Sequence, residues 1–543
     1  MPHGPLLGND VFPMHAADYV IVGAGSAGCA IAARLSEDPS CRVTVLEAGG
    51  SNRHPNITIP AAFPNQFETK HDWGYWGEPE PDCNNRKIFM PRGKALGGSS
   101  SMNAMLYVRG RAYDYDTWEQ MGATGWGWND VLPYFMRAED NSRGASEFHG
   151  VGGPLRVEDS RDPNEFAERF LQAAEATGIP RIPDYNGPEQ DGCSPVQVTQ
   201  KGGRRWSAAD AYLRPAMKRP NVEVVTKAQV IGLEWSGDRV TGVRYADKRG
   251  RERVAHAAEE VILSAGAFNS PQILMLSGIG PAAHLAEVGI ETRVDLEGVG
   301  QNLQDHPYVV TIYDSAIGNT LADAEHPKYM LQWLLQKKGP LTTSVAEAFA
   351  FVRSRPGLPA ADLQYHFAPV FFAANGFEEY KEHSVTFGPC LLSPKSRGSV
   401  SLRSSDPTAW PKILTNSLSE REDVDALVAG MKLSRELAAT EPMKSALGRE
   451  IYPGTGVQSD ADLEADLRNR VELIYHPVGT CRMGQDDLAV VDPELKVRGV
   501  EGLRVADASV MPIISGGNTN APTIMIGEKA ADLIRGIGVP TPA

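Results

Sequence analysis

Residues 18–50, DYVIVGAGSAGCAIAARLSEDPSCRVTVLEAGG, decide the fold of this 543-residue chain. The apolar run Tyr19 to Val22 predicts a buried parallel strand. A helical pattern follows it, and a second apolar run, Val43 to Leu46, predicts another strand. The turn between the first strand and the helix matches G-x-G-x-x-G at Gly23, Gly25 and Gly28. This order of strand, glycines, helix and strand predicts a dinucleotide-binding unit of the Rossmann type.

Each part of this unit has a physical task. Gly23 allows a tight turn, Gly25 lets the backbone approach a pyrophosphate, and Gly28 lets helix and strand pack closely. The helix N-terminus offers free N–H groups and the positive end of its dipole to phosphates. Glu47 follows the second strand, where a carboxylate accepts hydrogen bonds from a ribose diol and argues against NADP. These residues leave open whether the dinucleotide is NAD or FAD.

The composition favours a small molecule as the partner. The formal net charge is −15, from 53 Lys and Arg against 68 Asp and Glu. This balance disfavours nucleic acid and anionic membrane surfaces, because both would repel the chain. The six cysteines are scattered without C-x-x-C spacing, so we expect no metal site and no dense disulfide framework.

Two sequence features bear on location. Residues Met1–Ala17 contain no Lys or Arg and no continuous apolar core, so we do not expect a signal peptide. No run of about 18 apolar residues occurs, so we expect no membrane-spanning helix. Together these features predict a soluble, cytoplasmic protein.

The length predicts more than one domain. Val261 to Leu263 predict a parallel strand in the middle of the chain, and Leu503 to Ile534 predict strand, turn and helix at its end. Residues 51–81, rich in Pro, Asn and aromatic residues, predict a long covering loop. Alternating apolar residues predict antiparallel strands from Asn221 onward. The same pattern predicts an antiparallel sheet of an inserted second domain at Asp362–Phe372 and Ser399–Leu402.

Two later motifs are typical of cofactor contacts. RGKALGGSSSMN, residues 92–103, contains four consecutive small residues, Gly97 to Ser100. Their backbone N–H groups can hold a phosphate or approach a flat ring. GAFNSPQILMLSGIG, residues 266–280, predicts a turn and a helix with Pro271 near its start.

A third motif predicts a catalytic centre. His476 lies in YHPVGTCRMG, and Asn518 lies in SGGNTNAPT. Pro477 favours an extended backbone at the histidine. We expect Asn520 to cap a helix that begins at Ala521, so that the positive helix end points at whatever His476 faces. A histidine, an amide and a helix N-terminus together stabilise an anion.

These segments resemble the glucose–methanol–choline flavoprotein oxidoreductases, which bind FAD and mostly oxidise alcohols. The resemblance covers the chain from Asp18 to Ile534. The choline-dehydrogenase-like and aliphatic-alcohol-dehydrogenase branch is the most similar, through DHPYV, LQYHF, YHPVGTCRMG and NTNAPT. The resemblance implies an α/β fold (α+β overall), with a Rossmann-like FAD-binding domain and a substrate domain built on an antiparallel sheet covered by helices.

The implied domains interleave along the chain. The FAD-binding domain comprises residues 15–160, with a covering loop at 51–90, residues 195–310 and residues 466–543. The substrate-binding domain comprises residues 311–465, with a contribution from residues 161–194.

The resemblance also implies the cofactor contacts. Met102 stands where choline oxidase, a family member, has the histidine that binds its flavin covalently, so we expect non-covalent FAD. The residues implied to contact it are Gly23, Gly25, Ser26, Ala27, Gly28, Glu47, Ala48, Gly97, Gly98, Ser99, Asn103, Ala104, Val230, Asp507, Ala508, Asn518 and Thr519.

By the same resemblance, His476 is the base and Asn518 its partner in oxidising a primary alcohol (aliphatic, aromatic or diol) to the aldehyde. Electrons pass to O₂ or a quinone-type acceptor. Tyr308 replaces a glutamate that faces the trimethylammonium group in choline oxidase, but Glu347 offers another carboxylate, so choline dehydrogenase is an alternative. A non-redox hydroxynitrile-lyase-like flavoprotein is the alternative from another class. The expected apolar pocket wall comprises Tyr308, Phe367, Phe371 and Ile474.

Overall fold

Two β-sheets organise the protein, and the computed structural model describes them within residues 17–540. The expectation about a signal peptide concerns residues that lie, except for Ala17, outside the described part of the chain. No helix within residues 17–540 combines the length and apolarity that crossing a bilayer requires.

The first sheet contains the dinucleotide-binding unit. Its strands, in spatial order, are Gln229–Ser236, Arg239–Ala246, Glu252–Leu263, Ala17–Val22, Val43–Glu47 and Val222–Thr226, with Leu503–Val505 beside the third. Ala17–Val22 pairs in parallel with Val43–Glu47 on one side and with Glu252–Leu263 on the other. Glu252–Leu263 is the longest of these strands, because its first half pairs antiparallel with Arg239–Ala246 and its last residues continue into the parallel sheet.

Glycines allow the helices to pack closely on this sheet. Helix Ser26–Leu35 follows the first strand and packs against the C-terminal helix Asn520–Arg535. A Cβ atom at Gly527 would lie 2.6 Å from the carbonyl oxygen of Ala27, so only glycine permits this approach. The segment that carries Asn518 is therefore held against the N-terminal motif.

The second sheet is antiparallel. Its strands, in spatial order, are Leu447–Tyr452, Thr311–Ser315, Ser384–Leu391, Leu363–Ala368, Ala348–Val352 and Gly192–Pro195, with Pro307–Tyr308 joining Ser384–Leu391 to Glu472–Leu473. Helices Glu165–Ala176 and Arg421–Ala438 cover it with Phe166, Phe170, Leu427 and Met431. Mixed α/β architecture with two such sheets is the fold class that the sequence predicts.

Shorter elements complete the described chain. The other α-helices are Pro55–Thr58, Ala112–Gln120, Trp128–Ala138, Arg214–Ala216, Gly266–Leu276, Ala282–Glu287, Pro327–Gln336, Met443–Ala446 and Asp460–Arg470. The other strands are Tyr75–Trp76, Phe89–Met90, Glu139–Asn141, Leu155–Asp159, Gln197–Val198, Ile279–Gly280, Val294–Asp295, Ser399–Ser401 and Lys412–Leu414.

Some expectations about local structure are wrong. Val222–Thr226 is a parallel strand beside Val43–Glu47, because the antiparallel ladder begins only at Gln229. Ser399–Ser401 pairs with Lys412–Leu414 in a separate ribbon, not in the second sheet. The 51–90 segment contains short helical turns and a two-strand ribbon as well as loop.

Candidate active site

A long cavity runs between the two sheets, from the dinucleotide motif to His476. Most of the residues expected to contact a cofactor line it. They are Gly23, Gly25, Ser26, Ala27, Glu47, Ala48, Gly98, Ser99, Asn103, Ala104, Val230, Asp507, Ala508, Asn518 and Thr519. Residues from four distant parts of the chain thus face one space.

The turn after the first strand has the conformation that a phosphate loop requires. Gly23 has a φ of +100°, and a Cβ there would lie 2.4 Å from the carbonyl oxygen of Ser264. Gly28 does not face the cavity. A Cβ at Gly28 would lie 2.0 Å from the Gly23 carbonyl oxygen, so this glycine brings the helix onto the turn. The first turn of helix Ser26–Leu35 is then presented to the cavity.

Glu47 is held at the end of its strand with spare hydrogen-bonding capacity. Its Oε2 accepts from the backbone N–H of Ala24 at 2.9 Å, and its Oε1 accepts from that of Gly49 at 2.6 Å. A carboxylate has about four acceptor positions, so two remain for a ribose diol. Burial raises the pKa of Glu47 to about 7. The donor and acceptor chemistry at this end fits the ADP part of a dinucleotide.

The small-residue motif packs directly on the phosphate loop. Gly97 lies behind the cavity wall, where its N–H donates to the Ala24 carbonyl oxygen at 2.7 Å. Gly98 faces the cavity, and a Cβ there would lie 2.8 Å from Gly25 Cα. Asn103 is oriented by Arg205, whose Nη1 donates to its Oδ1 at 2.7 Å. A Cβ at Gly98 would fill the space beside the loop, so the glycines keep this cradle open.

Asp507 ties three segments together at the same cavity. Its Oδ2 accepts from the Gly266 N–H at 2.8 Å and from the Ser270 hydroxyl at 2.6 Å. Its Oδ1 accepts from the Ser509 N–H at 2.8 Å. These contacts hold the start of helix Gly266–Leu276 against the turn that contains Ala508.

His476 and Asn518 are brought together as the sequence predicts. Asn518 Nδ2 lies 3.3 Å from His476 Nε2, and Gln364 Nε2 donates to Asn518 Oδ1 at 3.2 Å. The backbone N–H of His476 donates to Asp305 Oδ1 at 2.7 Å. The preceding carbonyl, that of Tyr475, accepts from the guanidinium of Arg92. Both catalytic candidates are less than 10% exposed and line the cavity.

Two further histidines surround this pair. His306 Nδ1 lies 3.0 Å from His476 Nδ1, and the two rings meet edge to face. His366 lines the cavity, and neither of its ring nitrogens has a hydrogen-bond partner among the described residues. Both belong to sequence motifs noted above, DHPYV and LQYHF, but neither motif indicates which side chain faces the site.

The partners of His476 specify its tautomer and its charge. Since the Asn518 amide donates to Nε2, the ring proton lies on Nδ1 and is donated to His306 Nδ1. Burial is the main cause that holds the pKa of His476 well below 6.5, and the Arg92 guanidinium and the His306 and His366 rings nearby disfavour a positive charge there further. At neutral pH this histidine is therefore an uncharged imidazole whose Nε2 lone pair faces the cavity.

The expected apolar wall is half right. Tyr308 and Ile474 line the cavity, but Phe367 and Phe371 do not. Phe367 stacks on Phe170 in the core with ring centroids 4.7 Å apart, because alternate side chains of its strand point to opposite faces and His366 faces the cavity. Phe371 stacks on Tyr380 instead. The aromatic side chains that do line this region include Phe63, Phe67, Phe372 and Tyr475.

Two smaller expectations are also corrected. Glu347 is buried away from the cavity, where its carboxylate accepts from the Thr343 hydroxyl and the Asn164 N–H, each at 2.6 Å. Asn520 is the first residue of its helix and not a cap, and its Oδ1 accepts from the Ser26 hydroxyl at 2.8 Å. Asn520 and Thr519 still place the helix N-terminus at the cavity.

The fold and this site define an FAD-dependent oxidoreductase that acts on CH–OH donors. The chain belongs to the GMC oxidoreductase family, since the family's N-terminal model matches residues 17–308 and its C-terminal model matches residues 394–527. It is 47% identical over 528 residues to an oxygen-dependent choline dehydrogenase of Sinorhizobium medicae (strain WSM419), with 96% of each chain covered.

Solved structures agree with this assignment. Pyridoxine 4-oxidase from Mesorbium loti superposes with a TM-score of 0.89 at 30% identity, covering 96% of this chain and 99% of that one. A fungal aryl-alcohol oxidase superposes with a TM-score of 0.83 at 26% identity, covering 96% and 98%.

Proposed function

We propose that this protein oxidises an uncharged primary alcohol to the corresponding aldehyde, with His476 as the base. The observation that carries the proposal is the facing pair of the neutral His476 Nε2 and the Asn518 amide, 3.3 Å apart at the cavity. A hydroxyl group that enters between them meets one acceptor and one donor. This is the pair of partners that an alcohol needs when it loses its proton.

The residues act in a defined order. His476 Nε2 accepts the hydroxyl proton, a step that general-base catalysis commonly accelerates by about 10²–10⁴-fold. Asn518 Nδ2 donates to the alkoxide oxygen as its charge develops. The unpartnered ring nitrogens of His366 offer a further hydrogen bond at the same wall. When bound, FAD would supply the two-electron oxidation of the carbinol carbon.

The residues that would hold FAD are those of the long cavity. Glu47 and the first turn of helix Ser26–Leu35 suit the ADP part, while Gly98 and Asn103 suit the pyrophosphate and ring region. The N-terminus of helix Asn520–Arg535 adds the positive end of a dipole near the pair. Met102 is buried at this wall and cannot form a covalent link of the histidyl type, so we propose non-covalent FAD.

The charge of the wall favours an uncharged substrate over choline. Among the described lining residues, the carboxylates are Glu47 and Asp507, and both belong to the cofactor half of the cavity. Tyr308 presents its ring to the cavity and donates its hydroxyl to Glu472 at 3.0 Å. Choline oxidation is the second candidate, supported by the choline dehydrogenases at 47% identity and by aromatic faces that attract cations.

A panel of alcohols tests both candidates. Choline and 3,3-dimethylbutan-1-ol have the same shape and differ in charge, so the ratio of their kcat/KM values reports the charge preference directly. We expect the neutral alcohol to be the better substrate, and a preference for choline would overturn that part of the proposal. An unchanged flavin spectrum on anaerobic mixing with every alcohol would instead support the lyase alternative.

Two variants test the assigned base. His476→Ala should bind FAD but lose about 10²–10⁴-fold in the rate of flavin bleaching. His256→Ala removes an exposed histidine of strand Glu252–Leu263 and is the matched control. Comparing hydrogen peroxide formation with dye reduction identifies O₂ or a quinone-type compound as the acceptor, and cell fractionation tests the cytoplasmic location.

A further inference from the structure

Helix Pro327–Gln336 carries an apolar face that nothing in the described chain covers. Four of its side chains are exposed, namely Met330 (40%), Leu331 (58%), Leu334 (54%) and Leu335 (74%). Positions 330 and 334 are four residues apart, as are 331 and 335, so the four form one continuous stripe. Single exposed leucines are ordinary on a protein surface, but a continuous stripe marks an interaction surface.

The opposite face of this helix is firmly anchored. Trp333 is buried against Ile59 and Leu341, and its indole N–H donates to the Gly203 carbonyl oxygen at 2.8 Å. The helix is therefore held in place with its leucines pointing outward. The stripe is a fixed feature of the fold, because the buried tryptophan determines which side of the helix faces solvent.

Basic side chains surround the stripe. The exposed Lys328 lies at the start of the helix, and the exposed Lys338 follows its end. Lys337 caps the helix instead, since its Nζ donates to the carbonyl oxygens of Trp333 and Leu334 at 3.1 and 3.2 Å. The adjacent loop adds the exposed Lys201 and Arg204, and Gly203 of this loop accepts the Trp333 indole N–H. The exposed acids Asp323 and Glu325 precede the helix, and Asp162 accepts from the Gly339 N–H at 2.9 Å beyond its end. An outward apolar stripe with a basic border is the pattern of a helix that lies in the interface of an anionic bilayer.

We propose that this face docks on a lipid surface with anionic headgroups. The four apolar side chains enter the headgroup boundary, and the lysines and arginine contact lipid phosphates. The exposed basic side chains beside the stripe, Lys201, Arg204, Lys328 and Lys338, are the feature that favours lipid phosphates as its polar partners. The net charge of −15 does not oppose docking strongly, since charges beyond about 8–10 Å are screened at physiological salt.

Docking would bring the bilayer close to the substrate cavity. The segment under Trp333 continues from Ile59 to Phe63 and Phe67, which line the cavity. On the other side of the helix, Leu341 leads to Ser344 and Val345, which also line it. The docking face and the cavity therefore share two chain segments, and an apolar alcohol or acceptor dissolved in lipid would be concentrated near this site.

Vesicle sedimentation of the FAD-loaded enzyme tests the proposal. We expect binding to vesicles of phosphatidylcholine with phosphatidylglycerol, weaker binding to phosphatidylcholine alone, and a loss of binding as salt rises. The double variant L331E/L335E should reduce the bound fraction about tenfold or more at unchanged activity with a soluble dye. Leu488→Glu, at a leucine that is 51% exposed elsewhere, is the matched control and should bind as the original chain does.

A second variant and a second measurement distinguish lipid docking from association with a second copy of the chain. K328Q/K338Q should weaken binding to the anionic vesicles and leave binding to phosphatidylcholine alone unchanged. Failure of the original chain to sediment with anionic vesicles, or equal binding by L331E/L335E, would overturn the proposal. Light scattering that shows a dimer for the original chain and a monomer for L331E/L335E, without vesicle binding, would assign the stripe to a second copy instead. None of these results depends on which alcohol the enzyme oxidises.

Discussion

His306 and His476 face each other through their Nδ1 atoms at 3.0 Å, behind the wall of the cavity. A nitrogen–nitrogen contact of this length requires one donor and one acceptor. Because the Asn518 amide donates to the other nitrogen of His476, His306 is the acceptor and holds the proton of His476 on Nδ1. His306 thus orients the His476 ring so that Nε2, and not Nδ1, is the unprotonated nitrogen that faces Asn518 and the cavity.

Replacing His306 should therefore change the activity through His476. His306→Phe leaves the His476 Nδ1–H without its acceptor, and we expect kcat/KM to fall by about 10–100-fold as for other orienting partners. His306→Gln offers a carbonyl oxygen at the same place and should retain more activity. Equal losses in the two variants, with FAD content unchanged, would show that His306 only fills space.

The pH dependence follows from the lowered pKa of His476. Its base form is the neutral imidazole, and burial holds the pKa of this group below the ordinary value of 6.5. A lowered pKa keeps His476 deprotonated as the pH falls through 6.5. We expect kcat/KM to lose no activity to protonation of His476 between pH 8 and pH 6.5, and to decline only at lower pH. An acid limb of kcat/KM with its midpoint above 6.5 that His476→Ala abolishes would contradict this.

Flavin release tests the absence of a covalent link. Met102 is a thioether at the cavity wall, so acid denaturation followed by filtration should leave all of the yellow colour in the filtrate. Flavin that stays with the precipitated protein would contradict the prediction. The absorbance ratio of the filtrate to the intact enzyme is the measurement.

Because Gly28 lies close to the Gly23 carbonyl oxygen, one added methyl group at Gly28 should strongly lower the stability of the protein. Gly28→Ala would place a Cβ 2.0 Å from a backbone oxygen, and overpacking of this kind costs about 1–3 kcal/mol or more of folding free energy. We expect a lower melting temperature and a lower FAD content in the purified protein. Gly456→Ala, where a Cβ meets nothing within 4 Å, is the matched control and should behave as the original chain.

A buried ion pair away from the cavity offers a prediction about stability alone. Arg109 Nη2 lies 2.6 Å from Glu139 Oε2, and both side chains are fully buried. Glu139→Ala would leave the guanidinium without its charged partner and should cost about 3–5 kcal/mol of unfolding free energy, measured by urea denaturation. Arg421→Ala removes one member of an exposed pair and should produce no measurable change.

The local parts of the fold and site follow from the sequence. Strand, glycine turn, helix and acid are consecutive in the chain, so the spacing of Gly23, Gly25 and Glu47 already describes the phosphate loop and the carboxylate beyond it. The resemblance to the family also predicts that His476 and Asn518 lie together, although they belong to two motifs and are 42 residues apart in the chain.

Contacts between segments that are distant in the chain could not be predicted from the sequence and are seen only in the tertiary structure. His306 is 170 residues from His476, and its motif does not show that it accepts a proton from that ring. The sequence also did not show which of two neighbouring side chains in the expected aromatic wall faces the cavity. His366 faces the cavity and Phe367 packs in the core, since the register of their strand decides which alternate side chains point inward. Phe371 and Phe372 follow that strand in a loop, where Phe372 faces the cavity and Phe371 stacks on Tyr380.

The sequence by itself thus determined the dinucleotide unit, because short-range spacing specifies a turn and its helix, and its motifs indicated the family and the candidate pair His476 and Asn518. Only the tertiary structure decided which side chains surround the pair and which face of helix Pro327–Gln336 remains exposed. The burial of Trp333 determines which face of this helix is exposed. Helical periodicity alone does not show which of two apolar faces the core will cover.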